Sequence, residues 1–252
     1  MKAIEFCLQG KMAHFRKYYS NSAALSYHVP PIATVKGIIA GLLGKERDSY
    51  YEEFSNQNCK IGIAVEVPLK KTMQTMNLLN AKQTSHLSGC NGRKQVQTEW
   101  VIPQNIRTDY LSYRIVFWHK DEAIMDAFAE IAVNHLEDGY LSRGIAAALG
   151  SAQCQGWISN GRIIELESVH SDNESVVTRF AVPVAQIEKL EITAGGFSAK
   201  KEELITEFDR DRYITGQSKK EVLIPSDGQP LHYRLKKESV YWTCDEEAIV
   251  LI

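Results

Sequence analysis

Apolar residues recur along this chain with two periods. Ile4, Phe6 and Leu8 alternate with other residues near the start, Ile61, Ile63, Val65 and Val67 alternate with Lys60, Gly62, Ala64 and Glu66, and Tyr113, Ile115 and Phe117 alternate with Arg114, Val116 and Trp118. A period of two predicts strands, and a fourth is predicted over 156–166, interrupted near Asn160-Gly161. Val35, Ile38, Ile39, Leu42 and Leu43 follow helical spacing instead and predict a helix over 34–43. Pro30 and Pro31 hold its entry extended, Thr34 is its expected N-cap, and Gly44 stands where a left-handed stop belongs. A second helix is predicted from Asp121 to Asp138, with Ile124, Phe128 and Ile131 on one stripe and Gly139 as its stop. The resulting order, βαββαβ, predicts an α+β, ferredoxin-like domain.

Two segments exceed a minimal version of that fold. Residues 68–107 form a long excursion between the second and third strands, net +5, with Lys70, Lys71, Lys82, Arg93, Lys94 and Arg107 against Glu99 alone. Its SGCNGRKQ stretch reads as a hairpin tip, and Met73, Met76, Leu78 and Leu79 offer apolar groups to wedge between bases or cover a partner. Residues 143–156, RGIAAALGSAQCQG, are small and glycine-flanked, which permits close backbone approach. The expected division is 1–167 for the ferredoxin-like domain, with a thumb insertion at 68–107, and 168–252 for a β-rich region. In the latter, 176–184 and 187–192 are apolar-rich, 198–212 is charged and compatible with a helix, and Asp227-Gly228 predicts a hairpin between 222–224 and 231–233.

Composition narrows the function classes. The longest apolar or glycine run, GIIAGLLG, is too short to span a membrane, and the opening residues pass straight into a strand pattern with no signal-peptide signature, so a cytoplasmic protein is expected. Five scattered cysteines, Cys7, Cys59, Cys90, Cys154 and Cys244, with no C-x-x-C pair, give no reason to expect a metal or other cofactor. The net charge of −2 conceals a polarity: residues 1–120 carry 16 Lys+Arg against 8 Asp+Glu, and residues 121–252 carry 13 against 23. Whole-chain pI is therefore a poor guide to polyanion binding.

Candidate chemistry concentrates in the basic half. His14, Arg16, Lys17, Tyr18, Tyr19, Ser20, Asn21, Tyr27 and His28 precede the N-terminus of the first helix, whose free N–H groups and partial positive charge suit phosphate. From residue types alone, an ordinary solvated loop feeding a core helix fits equally well. Lys36, Gly37 and Gly41 are expected on the face opposite the apolar stripe. A lysine in a first helical turn opposes the macrodipole and points to a bound anion, while paired glycines suggest close approach by another backbone or a ligand. For nucleophilic or acid–base chemistry, His14, Tyr18, His86 and His119-Lys120 are candidates by type, but they form no convincing set.

The segment AHFRKYYSNSAALSYHVPPIATVKGIIAGLLG, followed by GKERDSYYE, resembles the start of the Cas-five family of CRISPR-associated proteins. The resemblance extends through the element order, the insertion after the second strand, the glycine-rich loop and an ending like DGQPLHYRL…IVLI, and is most similar to members from type I-B systems. It implies a RAMP-type, RRM-like fold and a subunit of the Cascade surveillance complex. Such a subunit binds the five-prime handle of the guide RNA (crRNA), contacts the large subunit and the adjacent backbone subunit, and reaches target DNA indirectly or through its thumb. Carried over by position, His14, Arg16, Lys17, Tyr19, Ser20, Asn21, Tyr27 and Lys36 are expected to hold the handle. Arg93 and Lys94 would lie at the thumb tip, Arg107 in the insertion, and Arg143 at the opening of the glycine-rich loop. Type I-C relatives cleave precursor RNA without metal; here no catalytic residue is expected, metal-independent endoribonuclease activity being the alternative.

Overall fold

The alternating segments pair into one antiparallel sheet. In chain order the first part of the molecule forms β1 (Lys2–Gly10), β2 (Phe15–Arg16), β3 (Ser26–Tyr27), α1 (Ile32–Leu42), β4 (Cys59–Val65), β5 (Leu69–Leu79), β6 (Arg93–Pro103), β7 (Leu111–His119), α2 (Glu122–Ala129), β8 (Ala147–Ala148) and β9 (Gln155–Glu165). The computed structural model describes residues 1–134, 147–191 and 198–252. The sheet runs β4-β7-β1-β9-β8, with every neighbouring pair antiparallel. Opposite Asn160, which takes a left-handed φ of 53°, the β1–β9 register shifts, so the interruption expected in the fourth strand is a bulge.

The period of two sorts side chains onto two covered faces. Ile4, Phe6, Leu8, Ile61, Ile63, Tyr113, Ile115 and Phe117 form one core with Ile32, Val35 and Ile39 of α1 and Ile124 and Phe128 of α2; Phe128 meets Phe6 and Phe117 edge-on at 5.4 and 5.3 Å. The opposite face carries Ala3, Ala64, Val116 and Ile164, and these pack against Phe180, Val182, Trp242 and Ile249. Small residues on that face of β4 have a packing reason, since a Cβ on Gly62 would lie 2.9 Å from the Val250 carbonyl. Charges on this face are matched as well: Glu5 pairs with Arg114 at 2.6 Å and Arg162 at 2.7 Å, and Arg114 also reaches Glu247 at 2.5 Å.

The rest of the chain, from which Leu204, Val222 and Ile224 join the helix-side core, forms β10 (Glu167–His170), β11 (Ser175–Thr178), β12 (Val182–Pro183), β13 (Ile187–Glu191), β14 (Ala199–Ile205), β15 (Lys219–Pro225), β16 (Leu231–Leu235), β17 (Val240–Cys244) and β18 (Glu247–Ile249). They form three-stranded sheets in the orders β10-β17-β18, β11-β16-β13 and β12-β15-β14. Two sequence expectations fail here. The charged segment 198–212 contributes a strand rather than a helix, because Glu202, Leu204 and Ile205 are buried in register against β15. Asp227-Gly228 joins strands of different sheets rather than a hairpin. Gly228, at φ 76°, packs on the Glu66 carbonyl, where a Cβ would stand 2.6 Å away, so the turn docks on the central sheet and the chain changes sheets there.

One of the two helices begins at a different point from that expected. α2 starts as its sequence indicates, Asp121 accepting the Ala123 N–H at 2.9 Å as N-cap, and continues as a π-helical turn over Glu130–Asn134; the expected end at Asp138 and Gly139 lies outside the described residues. α1 starts two residues earlier than the spacing suggested, with Pro31 at the N-cap and no side-chain cap. Gly44 at its far end has φ 76°, the left-handed stop. The excursion is an ordered ribbon, β5 against β6 from Leu69↔Pro103 to Leu79↔Arg93, closed by a turn with a 3-10 segment at Thr84–Ser88.

Candidate nucleic-acid interface

Three segments far apart in sequence are stitched together by backbone hydrogen bonds. Ala13 exchanges N–H and carbonyl with Val101 of β6, both at 2.9 Å, while Ala24 N–H donates to the Gln97 carbonyl at 2.8 Å and Glu99 N–H to the Ala24 carbonyl at 2.9 Å. On its other side, His14 N–H donates to the Leu149 carbonyl at 3.0 Å. The next residue, Gly150, has φ 90°, and a Cβ there would sit 2.0 Å from the His14 carbonyl oxygen, so only glycine permits this approach. The result is a cleft of about 550 Å³. His14 and Arg16 line one wall, Met76, Leu78 and Thr98 of the ribbon a second, and Gly150 to Gln153 a third, with Pro31 and Thr34 bringing the uncapped N-terminus of α1 to the same space.

Beneath the cleft the basic loop is neutralised from within. Glu202 of β14 accepts from the His28 ring at 2.8 Å and the His28 N–H at 2.9 Å, and pairs with Lys17 at 3.2 Å and Lys71 at 3.8 Å. Burial by itself pushes the Glu202 carboxyl up, but the hydrogen bonds and charges of His28 and Lys17 outweigh it and hold the group below the usual carboxylate value. Burial lowers the Lys17 ammonium, yet Glu202 and Tyr19 raise it further, for a net rise. Lys71 also pairs with Glu99 at 3.1 Å and donates to the Ser26 carbonyl, and Glu99 accepts the Ser26 N–H at 2.8 Å. Neither Glu99 nor Glu202 stands out in the sequence as part of this site, because their roles come from tertiary pairings, 28 and 73 residues away for Glu99 and 174 for Glu202 with His28.

The expected contact residues divide accordingly. His14 and Arg16 border the cleft; His14 Nδ1 lies 2.8 Å from the Glu99 carbonyl, and Arg16 is exposed, one N–H donating to the Ser20 carbonyl at 3.2 Å. Tyr19 and Asn21 are exposed on the loop, whereas Ser20 is buried and donates to the Lys17 carbonyl. Lys17 lies half-buried among Glu202, Tyr19 and Tyr27. Tyr27 does not present a stacking surface: it is 1% exposed, and burial pushes its hydroxyl far above the ordinary tyrosine value.

Lys36 also departs from expectation. With α1 beginning at Ile32, the inward stripe runs Ile32, Val35, Lys36 and Ile39, so Lys36 lies on the core side, 2% exposed, its ammonium donating to Asn56 Oδ1 at 2.8 Å. Burial lowers its pKa, and at the fifth helical position it no longer sits in the first turn. The outward face carries Gly37, above which the Tyr50 hydroxyl would stand 2.7 Å from a Cβ, so the close neighbour is a tyrosine side chain rather than a backbone or ligand. Arg93 and Lys94 are exposed near the distal end of the ribbon, and Arg107 is exposed at the opposite end, about 30 Å away along eleven paired residues. These three therefore do not form one cluster. Arg143 lies outside the described residues. Of the candidate catalytic groups, His119 has both ring nitrogens engaged, with the Glu53 carbonyl and the Asp121 N–H; Tyr18 bonds Glu203 and Lys219, and His86 sits in the ribbon turn.

The strand-rich α+β fold is that of a known class. A CRISPR protein from Archaeoglobus fulgidus aligns over 99% of this chain and 98% of its own at 11% identity, with a TM-score of 0.57. A chain of a CRISPR RNA-guided surveillance complex aligns over 96% of this chain and 91% of its own, at 11% identity and a TM-score of 0.43. A chain of the type III-B Cmr-beta complex bound to cognate target RNA and AMPPnP aligns over 91% and 86%, at 10% identity and 0.44. No curated protein matches. The model of the CRISPR-associated protein (Cas_Cas5) family matches residues 3–219, and the chain belongs to that family.

Proposed function

We propose that this chain is a non-catalytic subunit of a type I, I-B-like Cascade surveillance complex, that its core is ferredoxin-like, and that it holds the five-prime handle of crRNA in the cleft. On this reading it caps the complex beside the large subunit and the adjacent backbone subunit. The observation that carries the reading is the convergence of loop, α1 N-terminus, ribbon and Gly150 turn on one cleft, with Arg16 beside it and Lys82, Arg93 and Lys94 beyond it on the ribbon, none of them within salt-bridge distance of a carboxylate among the described residues. Cations without a carboxylate partner, near a space bordered by a helix N-terminus and the Gly150–Gln153 turn, suit phosphates, and an exposed Tyr19 suits an unstacked base.

Fluorescence anisotropy with a labelled handle RNA tests this. Affinity is expected to fall steeply with salt, and Arg93→Glu combined with Lys94→Glu to reduce the logarithmic salt slope by about 1.4, as two lost phosphate contacts on a single strand require. Salt-insensitive binding overturns the proposal. A metal-independent endoribonuclease is the second reading, favoured by one observation, the placement of His14 in the cleft wall. Incubation with repeat RNA in EDTA is expected to leave it intact; site-specific cleavage lost in His14→Ala would replace the first reading with the second.

A further inference from the structure

Past the Gly150 turn the chain enters β9, and a second group of residues faces solvent there. Tyr110, just ahead of β7, is 45% exposed. Lys11 Nζ stands 3.9 Å over the centre of its ring and is fixed there by donating to the Ile106 and Asp109 carbonyls at 3.2 and 3.1 Å. Trp157 meets Tyr110 nearly perpendicular, centroids 5.0 Å apart at 80°, and its own indole N–H is held by Gln9 Oε1 at 3.0 Å. Arg107 is exposed three residues before Tyr110. Neither Lys11 nor Arg107 has a carboxylate within salt-bridge distance among the described residues.

With an ammonium over one face and an indole set perpendicular to it, the Tyr110 ring is held in one orientation from two sides while nearly half of the residue stays exposed. We infer that Lys11, Arg107, Tyr110 and Trp157 form a second station for single-stranded RNA, at which a base stacks on Tyr110 and Arg107 neutralises a flanking phosphate. This rests on the cleft reading. Residues Gly150 to Gln153 line the cleft and lead within four residues to Trp157, so a strand leaving the cleft across that turn arrives at the station. The crossing is thin, because Gly10 and Gly156 face each other between β1 and β9, and a Cβ on Gly156 would lie 2.6 Å from the Gln9 carbonyl. A protein partner is the poorer fit, since the aromatic surface is small and rimmed by two cations, whereas stacking beside cations is the common means of holding single strands.

The test uses the full chain and a fluorescein-labelled 16-nucleotide oligoadenylate at low salt, with a 4-thiouridine-substituted 16-mer for photo-crosslinking. Tyr110→Ala is expected to weaken binding about tenfold, Tyr110→Phe to stay within twofold of wild type, and wild-type crosslinks to fall within 107–112 or 155–160. Unchanged affinity in Tyr110→Ala, with crosslinks confined to 13–28 and the ribbon, overturns the second station and leaves the cleft standing. No binding of either oligonucleotide, or of the handle RNA, overturns both.

Discussion

A carboxylate almost removed from water needs partners around it, and Glu202 has two ammonium groups, Lys17 and Lys71, and the imidazole of His28. Its pKa is held below the usual value, so its share of stability is fully present above the pKa it has in the unfolded chain. That share is lost as pH falls through the lower, folded value. Denaturant midpoints are therefore expected to decline below about pH 4.3, and Glu202→Gln, which leaves Lys17 and Lys71 without this carboxylate, to cost about 3 kcal/mol at neutral pH by urea unfolding and to flatten that acid dependence. Lys36 makes the opposite case. Its ammonium is buried and its pKa lowered, so folding favours its neutral form and its presence weighs against stability at neutral pH. Because it faces Asn56 rather than the cleft, Lys36→Met is expected to leave RNA affinity within twofold of wild type. Anisotropy checks this, and a tenfold loss would return Lys36 to the site.

Gly150 ties the first loop to the turn before β9, and no other residue type can stand there. A side chain would combine a strained φ of 90° with a clash on the His14 carbonyl. Gly150→Ala is accordingly expected to cost at least about 1–3 kcal/mol, measured by urea unfolding, and to weaken RNA binding by opening one wall of the cleft. How much of this was legible in the sequence depends on where the determining interaction lies. The four long strands of the sheet were readable because their alternation reports a core beside each residue, and the ribbon because its tip carries turn residues. The start of α1 was missed by two residues, since Ile32 behind two prolines reads as loop. With Ile32 included, the buried stripe centres on Ile32, Val35, Lys36 and Ile39, which puts Lys36 on the core side. β14 was misread because KKEELI has helical composition, and only its pairing with β15 makes it a strand. Lys17 looked like a phosphate ligand because its counterion is 185 residues away.

The charge polarity of the chain acquires a different meaning in the folded molecule. Acidic residues of the second half do not simply face solvent: Glu202 reaches the loop, Glu203 bonds Tyr18, and Glu247 holds Arg114 of β7. Among the described residues, the cations without a carboxylate within salt-bridge distance include Arg16 beside the cleft, Lys82, Arg93 and Lys94 on the distal ribbon, and Lys11 and Arg107 at the other edge, so part of the positive field of the first half lies along these places. The sheet has a further consequence, in time rather than space. β1 lies between β7 and β9, strands that follow it by about a hundred and a hundred and fifty residues. At a ribosomal rate of about 5–20 residues per second, β1 waits on the order of 5–30 s for its neighbours. Throughout that interval it is an unpaired template for any other strand it meets, so recovery of the chain on its own is governed by what shelters β1 during synthesis as much as by the stability of the finished fold.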